Sequence, residues 1–161
     1  MIYKILIIED EAPARKKLKA FIDQICPSYE IVDEIESVEQ AIGFLSGKEK
    51  IDLIFSDIEL RDGNAFEIFN TISIHCPIIF TTAYNQFLIH AFETNGIGYL
   101  LKPYSFEKFA KAWSKFLRLT STEVEHLNVL FSKMSDLMEI KSLAKVDFKE
   151  QFVIKSGTGI Y

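Results

Sequence analysis

Five short apolar segments recur along the first hundred residues, and each is followed by a stretch that carries one apolar face. The apolar segments are residues 2–8, 30–35, 51–56, 77–82 and 97–101. In most of them the apolar residues are consecutive rather than alternating, which is typical of strands buried on both faces of a sheet. Five repeats of strand then helix predict an α/β protein with a (βα)5 doubly wound, five-stranded parallel sheet.

The stretches between these segments carry helix signals. Pro13 opens the first helix at a tolerated first-turn site. Ser37 begins the second, and Gln40 stands three residues on, where it would complete a capping box. The other helices are predicted around Phe66, Phe69 and Ile72, over 85–95, and over 105–119.

Charge and cysteine content narrow the classes of function. The chain has 161 residues and a net charge of −5, which gives no general attraction to nucleic acid or anionic lipid. Cys26 and Cys76 fit no zinc motif, so we expect free thiols in a reducing compartment. No apolar run approaches the ~18 residues of a membrane span. These observations predict a cytoplasmic protein without a membrane partner.

Polar side chains of complementary chemistry stand where the predicted strands end. Glu9 and Asp10 follow the first strand, and Asp57 follows the third. Thr82 ends the fourth strand, and Lys102 follows the fifth. Because the carboxyl ends of parallel strands meet at one edge of a sheet, this topology brings three acids, a hydroxyl and a lysine together.

The combined chemistry of these side chains indicates a divalent metal and a phosphoryl group. Neighbouring carboxylates repel each other unless a cation lies among them, and hard oxygen ligands suit Mg²⁺. A lysine pairs with a phosphoryl oxygen, and a threonine hydroxyl donates to another. These are the parts needed for phosphoryl transfer to a carboxylate nucleophile, for which Asp57 is the candidate.

Four segments resemble the receiver domain of two-component response regulators. They are KILIIEDE, LIFSDIELRDG, IIFTTAYNQFLIHAFE and GYLLKPYSFEKF. The resemblance covers residues 1–119 and implies a flavodoxin-like fold. It also implies a signalling protein rather than an enzyme, in which Asp57 accepts a phosphoryl group from a sensor histidine kinase in a Mg²⁺-dependent reaction.

The same resemblance implies roles for the other residues. Asp10 would bind Mg²⁺ directly, with Glu9, Asp57 and the backbone carbonyl of Glu59 completing the protein's share of the metal site. The family's switch hydroxyl, active-site lysine and aromatic switch residue correspond in this sequence to Thr82, Lys102 and Tyr99. Lys102–Pro103 is expected to be a cis peptide bond.

Phosphorylation in this family draws the switch threonine toward the phosphate and turns the aromatic side chain inward. The face formed by the fourth helix, fifth strand and fifth helix would then change shape, and two copies of the chain would dimerise through it. On the sequence alone, Tyr99 is equally expected as an ordinary half-buried strand tyrosine.

The loop after Asp57 departs from the family's pattern. Many receivers have a proline four residues after the acceptor and a glycine four residues later, whereas this chain has Arg61 and Ala65 there. The nearby Gly63 comes early, and the backbone without the proline is less restricted. This departure bears on kinase docking and phosphoryl lifetime. The DIELRDG, TTAY and LLKP stretches are nevertheless similar to receivers attached to LytTR-type DNA-binding domains.

The remaining residues are predicted as a linker helix over 120–142 and the start of a LytTR-type domain over 143–161. Thr122 and Glu125 form a candidate capping box. An apolar seam follows, with residues alternately three and four apart: Val124, Leu127, Phe131, Met134 and Met138. This seam fits either packing on its own domain or pairing with a second copy. The chain would then be a truncated transcription regulator, with its DNA contacts in the missing domain.

Two other functions fit part of the pattern. A Mg²⁺-dependent phosphatase of the haloacid-dehalogenase type would form an aspartyl-phosphate on Asp57 and use Thr82 and Lys102. That class places its D-x-D after the first strand, whereas the D-x-E of this chain follows the third. A receiver that serves only as an interaction domain is a third hypothesis. It is disfavoured because every chemical position holds a competent residue.

Overall fold

The structure is a computed structural model that describes residues 1–141, and for residues 122–128, 131, 135 and 138–141 it describes the backbone only. The chain divides into two units, Met1–Arg118 and Leu119–Tyr161. The predicted start of a DNA-binding domain at 143–161 lies outside the described residues. Within the described part of the chain, no helix is long and apolar enough to cross a membrane.

The first unit contains a five-stranded parallel sheet covered by helices. Its strands are β1 Tyr3–Ile8, β2 Tyr29–Ile35, β3 Leu53–Asp57, β4 Ile78–Thr82 and β5 Gly96–Leu101. The helices of the described residues are α1 Ala12–Ile25, α2 Val38–Leu45, α3 Phe66–Thr71, α4 Leu88–Glu93 and α5 Phe106–Lys141, of which residues 106–118 belong to this unit. The strand order is β2-β1-β3-β4-β5, which confirms the predicted flavodoxin-like sheet.

Apolar side chains form a core on each face of the sheet. Ile5 and Ile7 of β1 lie in one core with side chains from α1 and α5, including Trp113. Leu6 and Ile8 lie in the other core with side chains from α2, α3 and α4. Successive residues of a strand point to opposite faces, so a strand covered on both sides is apolar at every position. This explains the continuous apolar segments of the sequence.

Three helices differ from their predicted bounds. Helix α4 is six residues long, Leu88–Glu93, rather than 85–95, because it lacks a side-chain cap at Phe87 and ends at the extended Thr94. Helix α3 ends at Thr71, so Ile72 lies just beyond it in an extended conformation. Helix α5 continues without a break through Thr122, where the capping box predicted a new helix start.

The start of α2 forms only half of the predicted capping box. The Ser37 hydroxyl accepts a hydrogen bond from the backbone N–H of Gln40, at 3.1 Å. The Gln40 side chain, however, accepts from the backbone N–H of Glu36, also at 3.1 Å, rather than from that of Ser37. The linker boundaries at 119 and 142 remain predictions, as does the apolar seam, since most of its side chains lie outside the described set.

Candidate functional site

Three carboxylates meet at the carboxyl edge of the sheet. Ile8 of β1 pairs with Ser56 of β3, so the residues that follow, Glu9 and Asp57, lie side by side. Both are buried, with 3% and 6% of their surface exposed, whereas Asp10 is half-buried. One carboxylate oxygen from each of the three lies within 4.8 Å of the others. The structure thus brings together the acids that the sequence placed at this edge.

The ammonium group of Lys102 lies between two of these carboxylates. Lys102 Nζ is 2.6 Å from Glu9 Oε1 and 3.0 Å from Asp57 Oδ2. Its backbone N–H donates to the carbonyl of Thr82 at 2.7 Å, which extends the β4–β5 ladder to the edge of the site. The following Lys102–Pro103 bond is cis, as predicted.

The pKa values of Glu9 and Lys102 are shifted by burial and by neighbouring charges, and in each residue the hydrogen bond between the two opposes the effect of burial. Burial raises the pKa of Glu9 to about 7, although the hydrogen bond from Lys102 favours its charged form. The neighbouring Asp57 charge raises the pKa of Glu9 as well. Burial alone would lower the pKa of Lys102, but its hydrogen bond to Glu9 and the charge of Asp57 raise that pKa overall. The site therefore keeps its lysine charged and favours proton or cation binding at Glu9.

Arg15 on α1 supports the acidic pair and was not singled out from the sequence. Its Nη1 donates to the backbone carbonyl of Glu9 at 2.8 Å and lies 3.2 Å from Glu36 Oε1. The Glu11 backbone N–H also approaches Glu9 Oε2, at 3.3 Å. This contact could not be predicted from the sequence around Arg15, because its partner is a backbone carbonyl whose position depends on the fold.

Thr82 and Tyr99 are connected through the backbone of Tyr84. The fully buried Thr82 accepts a hydrogen bond at its Oγ1 from the Tyr84 N–H, at 3.2 Å. The Tyr99 hydroxyl donates to the carbonyl of the same residue, Tyr84. The side chains of Thr82 and Tyr99 therefore bond to the backbone of the same residue.

Glu59 lies in a short hairpin that follows Asp57. Residues Glu59–Leu60 pair in antiparallel fashion with Gly63–Asn64. The Glu59 N–H approaches Asp57 Oδ1 at 3.3 Å, and the Ala65 N–H closes the loop on the carbonyl of Ile58 at 2.7 Å. The Glu59 side chain is exposed, so its main chain is the part that lies next to the acceptor candidate.

The donor set is chemically suited to Mg²⁺. Three carboxylates whose oxygen atoms lie within 4.8 Å of one another supply hard oxygen ligands, which Mg²⁺ prefers. The ammonium group of Lys102 forms ion pairs with Glu9 and Asp57, whereas the third carboxylate, that of Asp10, is not paired with it. The residues present therefore fit a divalent cation.

The fold and this arrangement of acids, hydroxyl and lysine are those of an α/β signalling domain with a phosphorylation site. Residues 5–114 match the family described as "Response regulator receiver domain". The chain belongs to this receiver family.

Similar proteins include named regulators. The chain is 36% identical over 125 residues to the sensory transduction protein LytT of Bacillus anthracis, covering 76% of this chain and 50% of that protein. It is 29% identical to the transcriptional regulatory protein LytR of Staphylococcus aureus, covering 96% of this chain and 65% of that protein. The chain thus spans about half to two thirds of the length of these curated relatives.

Solved structures agree with this assignment. The response regulatory domain of mrkE from Klebsiella pneumoniae matches with a TM-score of 0.62 and 28% identity, covering 74% of this chain and 96% of that one. A two-component response regulator from Clostridium difficile matches with a TM-score of 0.58 and 33% identity, covering 72% and 96%. These similarities give no support to the phosphatase alternative.

Proposed function

We propose that this domain is a switch that accepts a phosphoryl group on Asp57. The observation that carries the proposal is the buried carboxylate of Asp57, which lies beside Glu9 and Asp10 and is bonded to Lys102. A carboxylate oxygen of Asp57 attacks the phosphorus of a phosphohistidine on a sensor histidine kinase. The new O–P bond forms as the N–P bond breaks, and the imidazole nitrogen keeps the bonding electron pair and takes up a proton.

In this proposal Glu9, Asp10, Asp57 and the backbone carbonyl of Glu59 hold Mg²⁺. When bound, the ion supplies positive charge that offsets the charge of the transferring phosphoryl group. Lys102 would supply a second positive charge, since its Nζ lies 3.0 Å from Oδ2 of the carboxylate that would carry the phosphoryl group.

The proposed switch uses the connection through Tyr84. Once Asp57 carries a phosphoryl group, the Thr82 hydroxyl turns to donate to one of its oxygens. The Tyr84 N–H then loses its acceptor, and the segment that binds the Tyr99 hydroxyl moves. Tyr99 turns inward as a result. The new charge-assisted bond biases a surface that has two arrangements.

The proposed output surface is the face formed by α4, β5 and α5 within the first unit. A groove of about 750 Å³ is lined there by residues that include Leu88, Phe92 and Tyr99. Several apolar side chains on and near α4 are exposed, among them Ile89 at 76% and Phe92 at 50%. We propose that two copies of the chain pair through this face when Asp57 is phosphorylated, because pairing would cover these side chains.

One similar protein is named a transcriptional regulatory protein, and the chain covers 65% of its length. We propose that the chain acts in transcription regulation and that DNA is contacted by a further domain of the LytTR type, outside the described residues. The free thiols of Cys26 and Cys76 fit a cytoplasmic protein, where a kinase phosphohistidine is also presented.

One experiment separates a receiver from a phosphatase. The protein is incubated with Mg²⁺ and either acetyl phosphate or p-nitrophenyl phosphate. A receiver gains about one phosphoryl group per chain from acetyl phosphate and releases p-nitrophenol at no more than a trace rate. Sustained release of p-nitrophenol that is lost in Asp57→Asn would contradict the proposal and revive the phosphatase.

A further inference from the structure

The two turn residues of the hairpin after Asp57 contact helix α2 and the residue Glu36 that precedes it. Asp62 Oδ1 accepts a hydrogen bond from the Val38 N–H at 2.7 Å, and Oδ2 accepts from the Glu39 N–H at 3.1 Å. Arg61 Nη2 lies 3.2 Å from Glu36 Oε1. Helix α2 therefore receives part of its N-terminal cap from a loop that is 23 and 24 residues away in sequence.

The Asp62 contact is the stronger of the two links. A carboxylate that accepts two backbone N–H groups at a helix N-terminus makes charge-assisted bonds and also faces the positive end of the helix dipole. The hydrogen bond from Val38 leads the effects that lower the pKa of Asp62, so the carboxylate is charged at neutral pH. The Arg61–Glu36 pair is exposed at 56% and 40%, and such pairs contribute little.

The hairpin depends on such a link because its own backbone is permissive. Gly63 adopts a φ of +156°, a conformation that other residues rarely adopt, and no proline restricts the preceding turn. Leu60 packs in the same core as Val38, which brings the hairpin and α2 together. Asp62 then fixes the turn relative to the helix, much as a proline at the position of Arg61 would restrict the chain directly.

We propose that Asp62 is a positioning residue for the metal site: by holding the hairpin on α2, it fixes the backbone carbonyl of Glu59 for Mg²⁺. This inference rests on the proposed function, since it assumes that the carbonyl of Glu59 binds the ion. Asp62 itself stays bonded to Val38 and Glu39 and does not contact the metal. Coupling is reciprocal, so Mg²⁺ binding also strengthens the cap on α2.

The test compares Mg²⁺ binding by isothermal titration calorimetry in variants that separate three effects. Asp62→Ala removes both bonds to α2. Ser37→Ala removes the helix's own cap, whereas Glu39→Gln removes a neighbouring negative charge and leaves its backbone N–H in place. We expect Asp62→Ala to weaken Mg²⁺ binding by about three- to ten-fold, and both controls to stay within about two-fold.

Asp62→Asn keeps one acceptor oxygen, so we expect its Mg²⁺ affinity to lie between those of the wild type and Asp62→Ala. If Asp62→Ala fails to fold, the Mg²⁺ affinity of Asp62→Asn is compared with that of the wild type instead. A second readout needs no metal: amide hydrogen exchange at Ala65, whose N–H closes the hairpin on Ile58. Without Mg²⁺ this amide should exchange about five-fold or more faster in Asp62→Ala than in wild type, and unchanged in Ser37→Ala.

The outcomes distinguish the two proposals. Unchanged Mg²⁺ affinity in Asp62→Ala, with normal binding by the wild type, would overturn the role of Asp62 alone. Equal weakening in Ser37→Ala would overturn it too, because the effect would then come from α2 stability. Failure of the wild-type protein to bind Mg²⁺ would overturn the proposed function itself, whatever the exchange rate at Ala65.

Discussion

Replacing Lys102 with methionine removes an ammonium group from between two buried carboxylates while keeping a similar side-chain length. Lys102 Nζ lies 2.6 Å from Glu9 Oε1 and 3.0 Å from Asp57 Oδ2, and those side chains are only 4% and 7% exposed. Without the ammonium, two carboxylates of like charge face each other out of water. In the absence of Mg²⁺ we expect Lys102→Met to lower the free energy of unfolding.

The size of this loss depends on pH because Glu9 can take up a proton. In the wild type the pKa of Glu9 is raised to about 7, so the stability from its protonated form is present below pH 4.5 and lost as pH rises through about 7. In Lys102→Met the pKa of Glu9 rises further, so that loss continues to higher pH. Removing one partner of a buried pair costs ~3–5 kcal/mol, and proton uptake limits the cost. We expect a loss of about 1 kcal/mol at pH 6 and about 2–4 kcal/mol at pH 8.5.

Urea unfolding followed by circular dichroism, in EDTA at both pH values, measures this difference. Lys111→Met is the matched control, since Lys111 lies 3.9 Å from Glu107 in a pair that is 79% and 81% exposed. We expect the control to change the free energy of unfolding by less than about 0.5 kcal/mol at either pH. A loss in Lys102→Met that does not grow with pH, or that equals the control, would refute the electrostatic reasoning.

Three further substitutions test the packing around the site, with free energies of unfolding measured by urea titration. Gly96→Ala should cost about 1–3 kcal/mol, because the new Cβ would lie 2.2 Å from the Ala91 carbonyl oxygen; a loss below 0.5 kcal/mol would contradict that close approach. Trp113→Ala should cost about 3–5 kcal/mol because the side chain is 2% exposed in the core beneath α5, and a much smaller loss would place it outside the core. Tyr99→Phe should cost no more than about 1.5 kcal/mol and speed amide exchange at Tyr84, whose carbonyl it would release; unchanged exchange would remove the proposed link.

The sheet and the edge where the site lies were predictable because their signals are local. The apolar segments mark each strand. Successive side chains of a strand point to opposite faces, so Ile5 and Leu6 are expected in different cores once helices cover both faces of the sheet. Parallel strands then bring Glu9, Asp57 and Lys102 to one edge without further information.

The contacts that support the site were not predictable, since they join distant parts of the chain through backbone groups. Arg15 binds the carbonyl of Glu9, and Asp62 binds the amides of Val38 and Glu39. Neither contact corresponds to a recognisable pattern in the local sequence. The length of α4 was also wrong: the sequence predicted a helix over 85–95, but no side chain caps its start at Phe87, and Thr94 is already extended.

Intact-mass analysis after acetyl phosphate treatment shows most directly whether Asp57 is the phosphoryl acceptor. The wild-type protein and Asp57→Asn are each treated with and without Mg²⁺. We expect a gain of one phosphoryl group, about 80 Da, only in the wild type and only with Mg²⁺. An equal gain in Asp57→Asn would contradict the assignment of the acceptor. The absence of any gain in the wild type, together with no binding of beryllofluoride, would contradict the switch itself.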